Sequence, residues 1–579
     1  MATPPVQSEP ERFGTIMDPV HGSIQLDKYL FKIIDRPEFQ RLRKIKQFGG
    51  VYYVYPGGVH TRFEHSIGVC YIAGQLVDAL NKHNPPGEEN LSKWFTPQEK
   101  MCVQIAALCH DIGHGPFSHV YDFAVKEYVY KKLKSEQKRK DFIRSKKDEY
   151  GDNEKLESYL EKNEVPKKAK HEYRSALIVK RLMEELNFDE FKEHSYMYIQ
   201  LIQDMITFSE RDLKNEETKE EFWPTKLPSD KTYKEKTFLF EIVANGFTGI
   251  DVDKMDYFAR DAHSVGLPNN FDWRRFTQTA KIIKCEDDFH HICSRDKDAL
   301  SLYELFHTRN VLYRSVYKHK TVVIVEHLMK KALKKTTPQT IIQVKAEDEN
   351  ESYSLLKCWH DIDAFLVIDD SIEDFIMNGQ TDEHQQVQKL FIKKAQDTDK
   401  SLEKYFSRIK ERKLPKFLGR TAKGSEISKR NIAICASAKK SEIETIEKRL
   451  KPLPVKFSYG KGSEDPIQSH YFYGKFYPQN PFHIQKEEVS KILPSDFKEE
   501  EVFWYYDMKD DNDDETEAVA RSLWECLNMH KLPTEFKSAL EGSCARKRKL
   551  HEVHKEYTED EEFKDFQKII KRYKPKGTQ

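Results

Sequence analysis

The segment 109–119 concentrates side chains that could bind a metal. Three histidines and one aspartate fall within ten residues there: His110, Asp111, His114 and His119. Imidazole nitrogen and carboxylate oxygen suit a transition metal or Mg²⁺ that keeps open positions for water. Because adjacent residues on a helix point about 100° apart, His110 and Asp111 can share one ion only if other segments complete its shell.

His65 is a candidate for such a further ligand. Arg62-Phe63-Glu64-His65 opens a predicted helix whose apolar residues then follow helical spacing. A side chain at the start of a helix can face a cleft. A single histidine in that position is more often structural, so its role depends on the other segments.

The segment 249–261 supplies a third set of polar side chains. Asp253, Tyr257 and Asp261 recur every fourth residue and form one polar stripe on a predicted helix. Asp256 and Arg260 are also four apart, which predicts an ion pair at the surface or behind the ligands. Three segments together predict one metal site: His65, His110, Asp111 and Asp253.

Composition indicates a soluble intracellular enzyme. The 579 residues suffice for a large domain and a smaller one, and no apolar run reaches the length of about 20 residues that spans a membrane. Lys+Arg and Asp+Glu are both 96, so net charge does not indicate a nucleic-acid binder. Nine scattered cysteines are typical of reduced thiols in the cytosol or nucleus.

Patterning along the chain predicts a mainly α-helical fold. Residues 1–15 are predicted to be a disordered tail, and short helices are expected between 33 and 43. The glycine-bracketed aromatic segment 47–58 predicts a hairpin or a strand-like loop. Residues 126–170 are a charged insertion, 336–545 a smaller α+β region with a strand at 431–436, and 546–579 a basic, charged tail.

The set His65, His110-Asp111 and Asp253 resembles the ligand pattern of the HD-domain metal phosphohydrolases. Longer segments resemble the SAM and HD domain-containing deoxynucleoside triphosphate triphosphohydrolases: 45–47, 52–54, 110–119, 251–261 and 306–310. This resemblance runs from about residue 18 to 320, and more weakly to about 500. It implies a helical HD-domain core over 16–335, with the family's preceding SAM domain absent from this sequence.

The resemblance implies hydrolysis of a dNTP to deoxynucleoside and inorganic triphosphate. His65, His110, Asp111 and Asp253 would bind one transition metal (Fe, Zn or Mn), with Mg²⁺ accompanying the nucleotide. The metal would polarise the α-phosphate and its attacking water. The catalytic positions match three further residues, namely His119 as the acid that protonates the 5′-oxygen, Asp122 orienting His119, and His171 contacting phosphates.

Substrate-binding positions are implied in the same way. Phosphate-holding residues match Arg62, Lys254 and Arg309, and groups that meet the sugar 3′-OH match Gln47, Tyr257 and Asp261. Tyr317 matches an aromatic side chain at the sugar edge, where a 2′-OH would be crowded. Phe48 replaces a family leucine, Tyr313 replaces a family histidine, and His114 completes the substrate-binding set.

The resemblance further implies activation by GTP and dNTPs bound between subunits of a homotetramer, a dimer of dimers. The guanine-reading positions match Asp35, Gln40 and Arg43, and the phosphate contacts from a neighbouring chain match Arg412 and Lys416. The second, deoxynucleotide activator site matches Val54, Tyr55, Arg275, Arg295, Lys297, His319 and Lys475. Gly14 and Met17 stand where the family has Lys and Asn, and Gly474 where it has a redox cysteine.

Two other functional classes stay open. One is an HD phosphohydrolase that acts on another nucleotide phosphate ester, such as a monophosphate or a cyclic dinucleotide. The other is a nucleic-acid-binding scaffold with an inert HD fold, in which the basic run 546–549 would contact single-stranded nucleic acid. The resemblance also carries the expectations of a nuclear or cytoplasmic location, no membrane association, and a role in antiviral defence.

Overall fold

The computed structural model describes most of the chain, in two compact units. The described residues are 13–83, 94–135, 170–208, 222–335, 340–345, 350–378, 390–394, 401–423, 428–436, 440–508 and 518–523. One unit contains residues 1–413 and 457–498, and the other contains 414–456 and 499–579. Within the described residues, no helix is long and apolar enough to cross a membrane.

Helices dominate the first unit. They are α1 (Lys28–Ile34), α2 (Pro37–Gln40), α3 (Arg62–Lys82), α4 (Pro97–Cys109), α5 (His119–Ser135), α6 (His171–Leu186), α7 (Ser195–Thr207), α8 (Val252–Val265), α9 (Trp273–Thr279), α10 (Ala299–Leu312), α11 (Lys320–Lys335), α12 (Ile362–Leu366), α13 (Ile372–Asn378) and α14 (Ser401–Lys410). A π-helical turn, Tyr313–Tyr317, follows α10. Short 3₁₀ helices fill several connections.

The strands form small sheets. β1 (Phe13–Asp18) pairs antiparallel with β2 (Gly22–Asp27). A second sheet has the order β11-β10-β4-β3 and a third the order β6-β5-β7. Their strands are β3 (Lys281–Lys284), β4 (His290–Arg295), β5 (Thr340–Lys345), β6 (Asn350–Ser354), β7 (Leu390–Lys394), β10 (Phe472–Tyr473) and β11 (Pro481–Phe482).

The second unit is a small α+β structure. Its sheet has the order β8-β12-β9, formed by β8 (Lys416–Ala422), β9 (Leu450–Ser458) and β12 (Lys498–Tyr506). Two helices, α15 (Lys429–Ala436) and α16 (Lys440–Arg449), accompany it. A further short helix, α17 (Lys486–Val489), belongs to the first unit. Leu418, Ile432 and Trp504 share the core of the second unit. The prediction of a mainly α fold with a smaller α+β part is confirmed.

Local sequence explains where the site-bearing helices begin. Thr61 caps α3 and Thr96 caps α4, each in a capping box with the glutamate three residues later. Asp251 caps α8 by accepting the Lys254 N–H at 3.0 Å. Gly266 ends α8 with a φ of +71°, in the left-handed region that glycine tolerates best. Each predicted ligand therefore lies at a defined position relative to a helix end.

Several local predictions are wrong. The segment 47–58 contains a 3₁₀ helix, Gly49–Tyr53, where a hairpin or a strand-like loop was predicted. Gly49 lies so close to Phe117 that a Cβ there would be 2.7 Å from the Phe117 carbonyl oxygen, a long-range contact that the local pattern does not reveal. Residues 431–436 form helix α15 rather than a strand, since Ile432 and Ala433 face the core from one side of a helix. A short apolar run does not distinguish these two cases.

Boundaries also differ from the expected ones. Strand β1 begins at Phe13, inside the predicted tail. The first unit extends to residue 413 and includes 457–498, whereas the sequence predicted a boundary after 335, because α11 packs against α14. Helix α5 continues into the predicted insertion as far as Ser135. The remainder of that insertion, 136–169, and the tail 546–579 lie outside the described residues.

Helix α3 packs closely against side chains of α8 at Gly68. A Cβ there would lie 1.9 Å from Oδ1 of Asp256 and 2.6 Å from Nη2 of Arg260. Asp256 and Arg260 are themselves buried, at 0% and 1% exposure, so their pair does not lie at the surface. Glycine at position 68 is therefore what allows this ion pair to lie between the two helices.

We expect Gly68→Ala to lower the free energy of unfolding by about 1–3 kcal/mol, because the added methyl group overpacks a buried ion pair. Gly74→Ala, on the same helix, is the matched control. Its Cβ would meet only the end of the flexible Gln104 side chain, at 2.7 Å from Nε2. Urea unfolding of both variants measures the difference, and equal stability of the two would contradict the packing argument.

Candidate active site

The four predicted metal ligands converge at the ends of three helical segments. Nε2 of His65 lies 3.4 Å from Oδ2 of Asp111 and 3.1 Å from Oδ1 of Asp253. Nε2 of His110 lies 3.6 Å and 3.3 Å from the same two oxygens. Ligand atoms that share one ion at about 2.1 Å lie roughly 3–3.5 Å apart. The spacing therefore fits a single divalent metal.

Hydrogen bonds orient both imidazole rings toward that point. Nδ1 of His65 bonds Oδ2 of Asp256 at 2.8 Å, and Nδ1 of His110 bonds the carbonyl oxygen of Ala107 at 2.8 Å. Both Nε2 atoms are buried and make no hydrogen bond with the described residues. Since a buried polar atom without a partner is costly, these two lone pairs fit a metal ion.

The carboxylates of the centre are held ionised. Burial alone would raise the pKa of Asp111, but Arg62 and His110 lie so close that this pKa is held well below its usual range. Burial acts the same way on Asp253, and His110 and His65 lower its pKa. Ionised carboxylates and neutral imidazoles are the forms that bind a transition metal.

Asp256, for which the sequence left open a place at the surface or behind the ligands, is buried and supports His65. Asp256 accepts from His65 and from Nε and Nη2 of Arg260, and its Oδ1 lies 2.6 Å from Nε2 of His21. Arg260 also donates to Asp18 at 2.8 Å, at the end of β1. The position of Asp256, three residues after the ligand Asp253 on one helix, is the sequence signal that could have identified it.

A second group of histidines lies beside the metal ligands. His114, His119, Asp122 and His171 bring their ligand atoms within 4.8 Å of one another. The rings of His114 and His171 stack with centroids 3.8 Å apart. Nε2 of His114 is 3.2 Å from Oδ1 of Asp111, which joins this group to the metal centre. The three predicted catalytic residues therefore lie in one group with His114.

The predicted pairing within this group needs one correction. Asp122 bonds Nδ1 of His171 at 2.9 Å, whereas Nδ1 of His119 is 3.9 Å away, beyond hydrogen-bond distance. Asp122 thus orients His171 in this structure, and the His119 side chain is 63% exposed. The reason is Arg174, which donates to Oδ1 of Asp122 and fixes the carboxylate toward α6. Arg174 was missed, although it follows His171 by one helical turn.

Protonation differs between the two stacked imidazoles. Burial, together with the charges of Arg62 and His171, holds the pKa of His114 well below its ordinary value. Burial would also lower the pKa of His171, but Glu172 and Asp122 raise it above its ordinary value. His114 is therefore neutral, and His171 is the ring of the pair that carries a proton more readily.

Several of the predicted sugar-binding residues contact one another. The Tyr317 hydroxyl donates to Oδ2 of Asp261, whose Oδ1 lies 2.8 Å from Nε2 of His60. Phe48 packs edge-on against His60, with centroids 4.5 Å apart, and lies 5.8 Å from the Tyr317 ring. Oε1 of Gln47 is buried without a hydrogen bond to a described residue. Of these residues, His60 was missed, because nothing in its spacing relates it to Asp261.

Of the predicted phosphate-holding cations, Arg62 contacts the metal centre directly. Arg62 donates to Asp111, to Oγ of Ser118 at 3.1 Å and to the carbonyl oxygen of Gln47 at 3.2 Å. Lys254 pairs with Asp251 at 2.6 Å.

Two tyrosines flank this group. The Arg309 guanidinium lies 4.1 Å from the centroid of the Tyr313 ring. The Tyr257 ring lies 6.3 Å from that of His65.

The predicted activator residues fall into separate groups. Gln40 lies between Arg43, which donates to its Oε1, and the carbonyl oxygen of Ile34, next to Asp35. The ring of Tyr55, the residue after Val54, lies beside that of His319. Arg412 donates to the carbonyl oxygen of Tyr53. Arg275 pairs with Asp298, which follows Arg295 and Lys297. Lys475 lies near Phe476, and Lys416 begins β8 in the second unit.

Comparison with known proteins places these residues among nucleotide hydrolases. The HD domain family matches residues 62–221. Deoxynucleoside triphosphate triphosphohydrolase SAMHD1 of Xenopus laevis is 33% identical over 541 residues, covering 90% of this chain and 75% of that protein. The human protein of the same name is 33% identical over 515 residues, covering 86% and 71%. The SAMHD1 homolog of Dictyostelium discoideum is 28% identical over 522 residues, covering 89% and 81%.

We expect Asp256→Asn to weaken metal binding about 10- to 100-fold, because His65 loses the carboxylate that orients it. Asp78→Asn, which alters a half-exposed partner of Lys100 near the end of α3, is the control. Competition between each purified variant and a chelator of known affinity measures the change. Equal metal affinity in the two variants would show that Asp256 does not support the ligand.

Proposed function

The chain belongs to the SAMHD1 family of deoxynucleoside triphosphate triphosphohydrolases, and we propose on this basis that it hydrolyses a dNTP to the deoxynucleoside and inorganic triphosphate. The observation that carries the proposal is the convergence of two unpartnered imidazole nitrogens with Asp111 and Asp253. These groups lie directly beside the second group of histidines. A metal centre next to proton-carrying side chains suits attack of water on a phosphate.

The metal ligands are His65, His110, Asp111 and Asp253. When bound there, the metal supplies a Lewis acid for the α-phosphate oxygen and its attacking water. Two nitrogens and two oxygens suit Fe, Zn or Mn equally well, and Mg²⁺ is the proposed companion of the nucleotide. Asp256 keeps His65 in the tautomer whose Nε2 lone pair faces this centre.

The proposed proton donor is His119. Departure of the 5′-oxygen requires a proton, and His119 begins α5 with a side chain exposed enough to reach a bound nucleotide. His171, held by Asp122, lies closer to Asp111, with Nε2 3.8 Å from Oδ1 of that carboxylate. It is therefore placed to contact the phosphates rather than the leaving oxygen.

The remaining groups bind the rest of the substrate. Arg62, Lys254 and Arg309 distribute positive charge along the triphosphate, as phosphoryl chemistry requires. The unpartnered acceptor of Gln47 and the Asp261 carboxylate are placed to bind the 3′-OH. Phe48 and Tyr317 form the wall at the sugar edge, where a 2′-OH would meet an aromatic ring.

Regulation and location are further parts of the proposal. GTP at Asp35, Gln40 and Arg43, and a dNTP near Val54 and His319, would activate the enzyme in a homotetramer. Single-stranded nucleic acid is an additional proposed partner. A nuclear or cytoplasmic location and a role in antiviral defence follow the family resemblance.

Purified protein incubated with dGTP or dATP should release inorganic triphosphate, and Asp253→Ala should abolish the release because it removes a metal ligand. Chromatography of the products, with and without GTP, measures both reaction and activation. Release of monophosphate or pyrophosphate instead would favour another HD phosphohydrolase. Salt-sensitive binding of single strands without turnover would favour the scaffold.

Tyr317→Ala should raise hydrolysis of ATP relative to dATP by about tenfold or more, because it opens space for the 2′-OH. Tyr317→Phe is the matched control, since it retains the ring but loses the hydroxyl that donates to Asp261. The ratio of kcat/KM for the two nucleotides is the measurement. An unchanged ratio in the alanine variant would refute steric selection by this ring.

A further inference from the structure

Asp370 is a buried carboxylate that bonds two segments of the candidate active site. Its Oδ1 accepts from the backbone N–H of Phe117 at 2.7 Å, and its Oδ2 accepts from the backbone N–H of Lys46 at 3.0 Å. Phe117 is two residues before His119, and Lys46 precedes Gln47. One side chain therefore contacts both the segment of the proposed proton donor and the segment of the proposed sugar ligand.

The segment that Asp370 contacts has an unfavourable backbone. Phe117 and Ser118 have φ values of +60° and +54°, in the left-handed region that non-glycine residues rarely adopt. Such conformations cost about 1–3 kcal/mol each and persist only where surrounding contacts enforce them. Asp370 on Phe117, together with the Ser118 hydroxyl bond to the carbonyl oxygen of Lys46 at 2.7 Å, provides such contacts.

Arg41 reinforces the same connection. Its buried guanidinium donates to the carbonyl oxygen of Ile368 at 2.9 Å and to that of His114 at 2.8 Å. The backbone N–H of Asp370 also donates to the carbonyl oxygen of Lys44, at 3.3 Å. The segment 368–370 is thus bonded to both sides of the site, although it lies far beyond the part of the chain that the HD domain family matches.

Burial disfavours the ionised form of the Asp370 carboxylate at this position. Burial raises its pKa to about 6, although the two N–H bonds and the Lys46 side chain act in the opposite direction. Its neighbour Asp369 differs in its contacts, since it bonds the backbone N–H and hydroxyl of Ser371 within its own turn. Asp369 also pairs with the Lys44 side chain, whose Nζ lies 3.8 Å from its Oδ2. The two adjacent buried aspartates offer a matched pair, because Asp370 is the one that bonds the backbone N–H groups of Phe117 and Lys46.

We propose that Asp370 is a positioning residue for the reaction, which holds the 117–119 turn and the 46–47 segment in the relative geometry that catalysis needs. It acts through His119 and Gln47 and does not touch the substrate. This inference rests on the proposed function. It adds to the site a side chain that the reaction requires and that lies outside the residues matched by the HD domain family. An asparagine there would place an amide N–H against one of the two backbone donors, so one bond would be lost.

Asp370→Asn should lower kcat about 10- to 100-fold, because small misplacements of catalytic groups cost about that much. The metal content per chain should stay at the wild-type value. Asp369→Asn should remain within about twofold of wild type. In a background that carries both His119→Ala and Gln47→Ala, Asp370→Asn should cost less than about threefold, because both groups it positions are gone. If the Asn variant does not fold, Asp370→Glu, which keeps both acceptor oxygens on a longer side chain, replaces it.

Amide hydrogen exchange provides a readout that needs no turnover. Peptides covering 45–48 and 113–119 should lose protection together in Asp370→Asn and keep it in Asp369→Asn. Full additivity with the His119→Ala, Gln47→Ala double variant would overturn the proposal by assigning Asp370 a general structural role, as would unchanged exchange. If wild-type protein releases no triphosphate, the proposed function fails, and the paired exchange result alone decides whether Asp370 positions the two segments.

Discussion

The buried charges of the site depend on three buried arginines, each of which pairs with a carboxylate of the site. Arg62 donates to Asp111, Arg174 to Asp122 and Arg260 to Asp256, and all three arginines are at most 5% exposed. Removing one partner of a buried pair costs about 3–5 kcal/mol, because the other charge is left unpaired. The arginines lie on α3, α6 and α8, which also carry His65, His171 and Asp253. The same three helices therefore both neutralise the carboxylates and align the functional groups.

Close backbone contact is the second condition for this arrangement. A Cβ at Gly113 would lie 2.3 Å from the carbonyl oxygen of His171 and 2.5 Å from the backbone nitrogen of Ser175. Glycine at this position lets α6 approach the loop that follows Asp111, and the Arg174 side chain then donates to the carbonyl oxygen of Gly113 at 2.9 Å. Without that approach, the stacking of His114 on His171 would not form.

How much of the site the sequence predicts depends on which contacts residue spacing can reveal. His65, His110, Asp111 and Asp253 were identifiable because their residue types and their positions at helix ends indicate metal binding. Asp256 and Arg260 have the same four-residue spacing as a surface ion pair, and only burial distinguishes the two cases. His60 and Asp370 contact the site across 201 and 253 residues of sequence. No local pattern expresses such contacts. The same limitation explains the error at 431–436, where tertiary packing decided between helix and strand.

The inert-scaffold alternative is weakened by the way hydrogen bonds are distributed. A fold that keeps an HD arrangement only for structure gains stability by giving each buried polar atom a partner. Here Asp256 and the Ala107 carbonyl fix His65 and His110, yet both Nε2 atoms stay without a hydrogen bond to described residues, as does Oε1 of Gln47. The nitrogens that orient the two metal-binding rings are bonded, and the atoms that face the centre are left available. That distribution is expected of a site that binds a metal and a polar substrate, because the ligands themselves supply the missing partners.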